Sequence, residues 1–500
     1  MSNVLFDPLF GRHAKNDAPF LMLEKGRALS YGDFVALSAR LANVFAEIGL
    51  TKGDRVALQV AKSPEALAVY AACLRSGLVL LPLNTAYTTS ELAYFLGDAE
   101  PGLVICDAED AVAMTGILKG AALHTLNADG SGSLSDAADA MPAVHAVVEC
   151  GADDLAAILY TSGTTGRSKG AMLSHANLLS NATALADLWR FTDADVLLHA
   201  LPIFHTHGLF VAVNVSALSG AAMIFHAAFK AEKLLADLPR ATVLMGVPTF
   251  YTRLLAEPSF TREATAHMRL FVSGSAPLLA DTHTDFEART GHRILERYGM
   301  TETNMNASNP YEGDRRPGTV GFPLPGTEIR ISDPDTGIEV PQGETGMIEV
   351  RGPNVFSGYW RMPEKTAEEL RENGFFITGD LGQIDPDGYL VIVGRQKDLI
   401  ISGGYNIYPK EIEVLLDALP GVRESAVFGV ADPDFGEATI GVVVPEPGNT
   451  LDPAALLSEI TPHLARFKHP RRIEIVADLP RNTMGKVQKN ILRQTYTSDA

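Results

Sequence analysis

Leu155-Ala-Ala-Ile-Leu-Tyr-Thr-Ser-Gly-Thr-Thr-Gly-Arg-Ser-Lys-Gly170 is the stretch on which the fold turns. It opens as a short apolar run closed by an aromatic residue, the texture of a buried strand. A turn of Gly, Ser and Thr follows, and then 176–189 reads as a helix. Strand, glycine turn and helix in succession are the working unit of a parallel sheet covered by helices. Glycines let the backbone fold so that several N–H groups face one anion, and the Ser and Thr hydroxyls add donors. Lys169 supplies a positive charge. The spacing Gly163-Thr-Thr-Gly166-Arg-Ser-Lys169-Gly170 is not that of a Walker A loop, which disfavours a P-loop kinase or GTPase.

The same alternation runs outward from this point. Segments 55–60, 79–83, 241–245 and 270–272 read as strands, and 63–75 reads as a helix. The fold class expected is α/β, with layered and largely parallel sheets in a large N-terminal domain. Residues 127–135 are rich in Gly, Ser and Asp and read as a surface loop. From Thr327 the texture changes to short strands with Gly and Pro turns, the mark of a β-rich subdomain. A new pattern starts after Gly394, with a helix at 409–418, strands at 424–430 and 438–444, and a basic tail. The division expected is therefore 1–394 and 395–500, the second a small mobile α+β domain of ordinary size.

A chain of 500 residues, 46% hydrophobic, can bury a large core and exceeds one ordinary domain. Its 60 acidic and 41 basic residues give a net charge of −19, which argues against broad binding to nucleic acid. Anionic substrates would meet a repulsive global field, so each cation inside a Gly-rich motif matters. Cys73, Cys106 and Cys150 lie far apart and suggest neither a disulfide framework nor a zinc site. The N-terminus lacks a signal-peptide pattern and no apolar run is long enough to span a bilayer. A cytoplasmic protein without membrane partners is the expectation, and the oligomeric state is not legible.

Four more motifs follow the loop in order: Tyr298-Gly-Met-Thr-Glu302, Thr378-Gly-Asp380, Gly394-Arg395 and Pro480-Arg-Asn-Thr-Met-Gly-Lys486. Each has a physical reading. Glu302 offers oxygen to Mg²⁺, which is usually bound by one or two carboxylates beside substrate phosphates. Asp380 is a bidentate acceptor for two ribose hydroxyls, or an Asx-turn residue. Lys486 could bridge a carboxylate and the α-phosphate of a polyanion, offsetting their repulsion, and Gly485 permits close backbone approach. Neither Ser273 nor Ser275 stands in a G-x-S-x-G elbow, so a serine hydrolase is not supported.

Together the five motifs resemble those of the acyl-adenylate-forming (AMP-binding) superfamily, which includes acyl-CoA synthetases, luciferases and peptide-synthetase adenylation domains. The resemblance covers most of the chain. It implies an AMP-forming acid–thiol ligase that uses ATP, Mg²⁺ and coenzyme A. It implies ATP contacts at Thr161, Ser162, Gly163, Thr164, Thr165, Gly166 and Lys169. Further ATP contacts are implied at Ser275, Ala276, Pro277, Glu296, Tyr298, Gly299, Met300 and Thr301, and at Asp380, Arg395 and Lys486. Lys486 and Glu302 are the implied catalytic residues, with Glu302 on the metal. Lys397 is the implied hinge, and Ser402, Gly403 and Gly404 line a thiol tunnel. Loading of a carrier protein is the alternative, and a non-enzymatic nucleotide-binding protein a third.

The resemblance sets the residue before Tyr298 against the acyl pocket, where many ligases for aromatic or fatty acids carry a small or uncharged residue, and here it is Arg297. An unpaired buried charge is costly. A second carboxylate on the substrate would relieve it through a bidentate fork, so a short dicarboxylic acid is favoured over a monocarboxylate. His205 and His207, in Pro202-Ile-Phe-His-Thr-His-Gly208, either line the same pocket or are satisfied core histidines. The run of motifs most closely resembles the bacterial malonyl-CoA synthetases. That resemblance implies malonate, with methylmalonate as a variant, and sets Arg297 and His205 at the distal carboxylate with Met305 as a boundary.

Overall fold

The computed structural model describes residues 2–161, 168–402, 405–432, 435–482 and 485–497. Local signals set many of its elements. Ser63 caps the helix Pro64–Ser76 by accepting from the amide of Ala66 at 3.0 Å, Pro64 stands at its first position, and Gly77 closes it with φ 66°. Residues Ala66 to Arg75 of this helix are all buried. A helix apolar on every side belongs in the middle of a large protein. Each buried Leu or Val there contributes about 1.5–3 kcal/mol.

The chain forms two compact units, one of residues 1–329 and 350–376, the other of 330–349 and 377–500. In the first, five strands run parallel in the order Ala122–Thr125, Leu103–Cys106, Arg55–Gln59, Val79–Pro82 and Leu155–Thr161. The strand Lys169–Ser174 adds to the last of these antiparallel. The second sheet of this unit has nine strands. Its parallel centre comprises Leu295–Met300, Leu270–Ser273, Val243–Gly246, Val196–His199, Ala222–Phe225 and Pro19–Met22. Antiparallel strands flank it on both sides, Asn304–Ser308 beside Leu295–Met300 and Ala28–Ser30 beside Pro19–Met22. The central strands are almost wholly buried, as expected of sheets covered on both faces.

In the second unit, the strands Phe376–Ile384 and Leu390–Arg395 pair antiparallel within a four-stranded sheet. A further sheet is built around the long antiparallel pair Val422–Asp432 and Gly436–Pro445, with Arg472–Ile475 added parallel. The helix Pro409–Asp417 covers it through Ile412 and Leu416. The layered α/β character and the small α+β C-terminal part agree with the sequence reading.

Two local readings are corrected. The glycine turn does not lead straight into a helix. The strand Lys169–Ser174 intervenes and the helix starts at His175. Six residues of mixed character carry no periodic signal, and their strand form comes from pairing with Leu155–Thr161. The expected loop 127–135 ends early, because Ser133–Asp139 forms a helix with Leu134 and Ala138 buried.

Candidate active site

The hairpin that flanks the glycine turn fixes two candidate residues. Thr161 and Lys169 are cross-strand partners. Ser162, Gly163, Thr164, Thr165 and Gly166 lie outside the described residues. Lys169 is buried, and its ammonium donates to Glu369 Oε1 at 2.9 Å and Oε2 at 3.0 Å. It also lies 4.2 Å from the ring centroid of Tyr359. The Tyr359 hydroxyl donates at 2.6 Å to Glu369 and lies 3.1 Å from Glu302 Oε1. The Thr161 hydroxyl donates to the same Glu302 oxygen at 3.2 Å. One network therefore joins the turn's lysine to the metal-candidate carboxylate.

Burial pushes Glu302 above the usual carboxylate range, against the pull of its own amide, the Lys169 charge, Tyr359 and Thr161. Burial would also raise Glu369, but hydrogen bonds from Tyr359, Lys169 and Lys365 outweigh it and hold that carboxyl low. Tyr359 and Glu369 carried no signal in the sequence. The backbone brings Tyr359 here: it bridges Ala171, and the amide of Trp360 donates to Gly170 O at 2.7 Å.

No cluster of three or more His, Cys, Asp or Glu side chains fit to hold a metal exists among the described residues. The donor chemistry fits Mg²⁺ all the same. One buried carboxylate, raised by desolvation, gains from a nearby cation, and substrate phosphates supply the other oxygens.

A second cluster gathers at the ends of parallel strands. Ser275-Ala276-Pro277 follows the strand Leu270–Ser273, and Ser275 has φ 71°, a left-handed conformation uncommon for a non-glycine residue. Arg297, within Leu295–Met300, lies over Gly274: a Cβ on that glycine would stand 2.4 Å from the guanidinium carbon. Arg297 is 3% exposed, and its Nε and Nη2 make no hydrogen bond. Burial pushes it down to about 9, with Tyr251 and Glu296 opposing, so it remains cationic at neutral pH.

His207 Nδ1 lies 3.2 Å from Ser275 Oγ, and its Nε2 has no partner. Burial pushes His207 well down, and the Arg297 charge adds to this, so the imidazole is neutral. His205 is half-buried and within electrostatic reach of His207. Met305 is buried with its methyl against Gly299, where an added Cβ would stand 1.9 Å from Asn304 O. Tyr298 is buried, Met300 and Thr301 are half-buried, and Glu296 accepts from the amide of Leu278 at 3.3 Å.

The remaining candidates belong to the second unit. Asp380 is buried, and Arg395, its cross-strand partner, reaches it at 3.1 Å. The hydroxyl of Thr378 accepts from the amide of Asp380 at 3.0 Å and donates to Ile348 O at 2.7 Å, and Gly379 turns the chain with φ 73°. Lys397 is exposed in the turn Gln396–Asp398, and partial desolvation of its ammonium, with the nearby Arg395 charge, lowers its pKa. Ser402 ends a strand paired with Tyr405–Ile407, while Gly403 and Gly404 lie outside the described residues. Lys486 is half-buried in a tight loop. Its amide donates to Asn482 Oδ1 at 3.0 Å, Gly485 has φ 76°, and Arg481 donates to Gly485 O at 2.7 Å.

The AMP-binding enzyme family matches residues 11–360, and the AMP-binding enzyme C-terminal domain matches 411–486. A feruloyl-CoA synthase of Amycolatopsis sp. is 38% identical over 94% of this chain and 94% of its own length. The malonate–CoA ligase of Arabidopsis thaliana is 33% identical over 94% of this chain and 85% of its own. Among solved structures, ATP-bound MatB from Rhodopseudomonas palustris is 58% identical and superposes with a TM-score of 0.98 over all of both chains. With its buried Glu302, its lysine-bearing hairpin and a match that spans most of its length, the chain belongs to the AMP-binding enzyme family.

Proposed function

We propose that the chain activates malonate with ATP and transfers it to coenzyme A, giving malonyl-CoA, AMP and pyrophosphate, with methylmalonate as a second substrate. The coarser activity is that of an AMP-forming acid–CoA ligase working through an acyl-adenylate. The malonate reading is carried by one observation. Arg297 is a buried guanidinium whose Nε and Nη2 have no hydrogen-bond partner among the described residues. A buried polar group without a partner is costly, and two N–H groups of one guanidinium suit a carboxylate in a bidentate fork. An apolar acyl tail would leave that cost in place. A substrate with a second carboxylate removes it while its first is free to react.

In the first half-reaction one carboxylate oxygen attacks the α-phosphorus, and the bond to pyrophosphate breaks. Lys486 spans the two anions and offsets their repulsion as they meet. Lys169 and the Gly/Ser/Thr turn hold the phosphates, and Asp380 accepts from the ribose hydroxyls. Glu302 would hold Mg²⁺, which would neutralise phosphate charge. In the second half-reaction the coenzyme A sulfur attacks the acyl carbonyl, and AMP leaves. The functional boundary falls between Gly394 and Arg395, Lys397 acts as the pivot, and Ser402, Gly403 and Gly404 pass the thiol arm. A few residues at the end of an element can absorb such a rotation.

The test is AMP release, with and without coenzyme A, from malonate, methylmalonate, succinate, acetate, ferulate and a fatty acid. The highest kcat/KM is expected for malonate, with acetate and the fatty acid lower by at least about tenfold. A monocarboxylate at the top of the panel would remove the malonate reading and leave the ligase. AMP release that coenzyme A does not accelerate would favour loading of a carrier protein.

A further inference from the structure

One buried cation is not used by the reaction above. Lys62 follows the strand Arg55–Gln59 and precedes Ser63, the cap of the helix Pro64–Ser76, so its backbone is held on both sides. Its ammonium donates to His199 Nδ1 at 2.7 Å and to His199 O at 2.8 Å, and lies 4.2 Å from the Phe225 ring centroid. His199 ends a strand of the other sheet of the same unit, beside Phe225. Its Nε2 lies 2.8 Å from Gly208 O. A carbonyl only accepts, so the His199 proton sits on Nε2 and the Nδ1 lone pair takes the bond from Lys62. That fixes one tautomer and one direction of bonding from Lys62 through His199 to Gly208.

Gly208 lies next to His207, near the start of the π-helical segment His207–Val213. Such segments are uncommon and concentrate at functional sites. The chain is folded so tightly there that a Cβ on Gly208 would stand 2.0 Å from Pro202 O. Among the described residues the His207 ring has a polar contact only at Ser275, so its aim depends on this backbone.

We propose that Lys62 and His199 are positioning residues for the acid: together they hold Gly208 and thereby aim His207 at Ser275 beside Arg297. The inference rests on the reading that Arg297 faces the distal carboxylate. Among the described residues Lys62 has no carboxylate partner, and burial pushes its pKa well below that of a free lysine, so it does not serve the fold as an ion pair. Its worth lies in direction: it polarises the imidazole and fixes the carbonyl beyond it.

The test measures AMP release by the full chain carrying Lys62→Met, His199→Leu, His199→Gln and, alongside, Arg297→Leu. Lys62→Met and His199→Leu are expected to raise the KM for malonate about tenfold, with the KM for ATP changed less than about twofold. The thermal midpoint of Lys62→Met is expected to fall by a few degrees at most, because His199 Nδ1 loses its donor, while the KM for malonate alone carries the positioning effect. His199→Gln, which keeps a donor for Gly208, is expected to regain most of the affinity. An unchanged malonate KM in Lys62→Met beside a raised one in Arg297→Leu overturns the positioning role alone. No change in either overturns the acid-site reading beneath it. Where Lys62→Met fails to fold, the comparison of His199→Leu with His199→Gln decides: equal malonate KM values in the two overturn the inference.

Discussion

At the scale of the residue, Lys486 and Arg297 carry the two proposed roles that single substitutions test most directly. Lys486→Ala should abolish exchange of pyrophosphate into ATP in the presence of acid, because nothing else then bridges two anions. Loss of such a transition-state contact is expected to cost at least about a hundredfold. Thioester formation from synthetic acyl-adenylate should be largely spared, and normal exchange in the variant would exclude Lys486 from adenylation. Gly274 is the quieter test of the acid site. A methyl there would meet the Arg297 guanidinium at 2.4 Å. Because it meets the far end of a flexible side chain, Gly274→Ala should fold normally and displace the guanidinium. The KM for malonate is expected to rise by about tenfold while stability changes by less than about 1 kcal/mol. An unchanged KM would mean that the guanidinium does not contact the acid.

The helix Pro409–Asp417 shows how an element carries a pH dependence. Asp417 stands in its last turn, where the helix dipole is unfavourable to an anion. Ser425 donates to it at 2.7 Å. Burial, aided by the charge of Glu413, raises its pKa to about 6, although Ser425 and Lys410 pull the other way. An acid raised above its unfolded value of 3.8 favours folding most when it is protonated in both states. That contribution is lost as pH rises through 3.8 to about 6. Asp417→Asn keeps the acceptor and removes the charge. It should stabilise the unit by up to about 3 kcal/mol near pH 8, with the difference shrinking toward pH 4. Denaturant unfolding at the two pH values measures it, and an equal gain at both would show that the charge is not the cause. The hairpin Leu155–Thr161 and Lys169–Ser174 teaches a related lesson. Its register sets Lys169 beside Thr161, and so the turn's lysine reaches Glu369.

At the scale of the whole molecule, the two residues proposed for catalysis belong to different compact units, with Glu302 in the first and Lys486 in the second. The proposed pivot at Lys397 therefore carries a kinetic prediction. Proline fixes φ near −65° and removes an amide donor. Lys397→Pro should slow one half-reaction by about tenfold or more and spare the other. Pyrophosphate exchange and thioester formation from preformed adenylate report the two separately, and equal slowing of both would exclude a pivot there.

The sequence by itself determined the α/β class, the order of the five motifs and the identity of Lys486, Glu302 and Asp380 as the groups to watch. Those signals are local: periodicity, caps, glycine turns and residue types at short spacing are written along the chain. Arg297 was also legible, because it stands immediately before Tyr298 of the motif, where many ligases of the superfamily carry a small or uncharged residue. Only the tertiary structure decided that its guanidinium lies on Gly274 with two donors unpartnered, and that His207 meets Ser275. Glu369, Tyr359, Lys62 and His199 were invisible for the same reason. Lys169 and Glu369 are 200 positions apart, and Lys62 and His199 are 137 apart. No local pattern encodes a pairing of that span; it arises when whole sheets and helices pack and bring the ends of distant strands together.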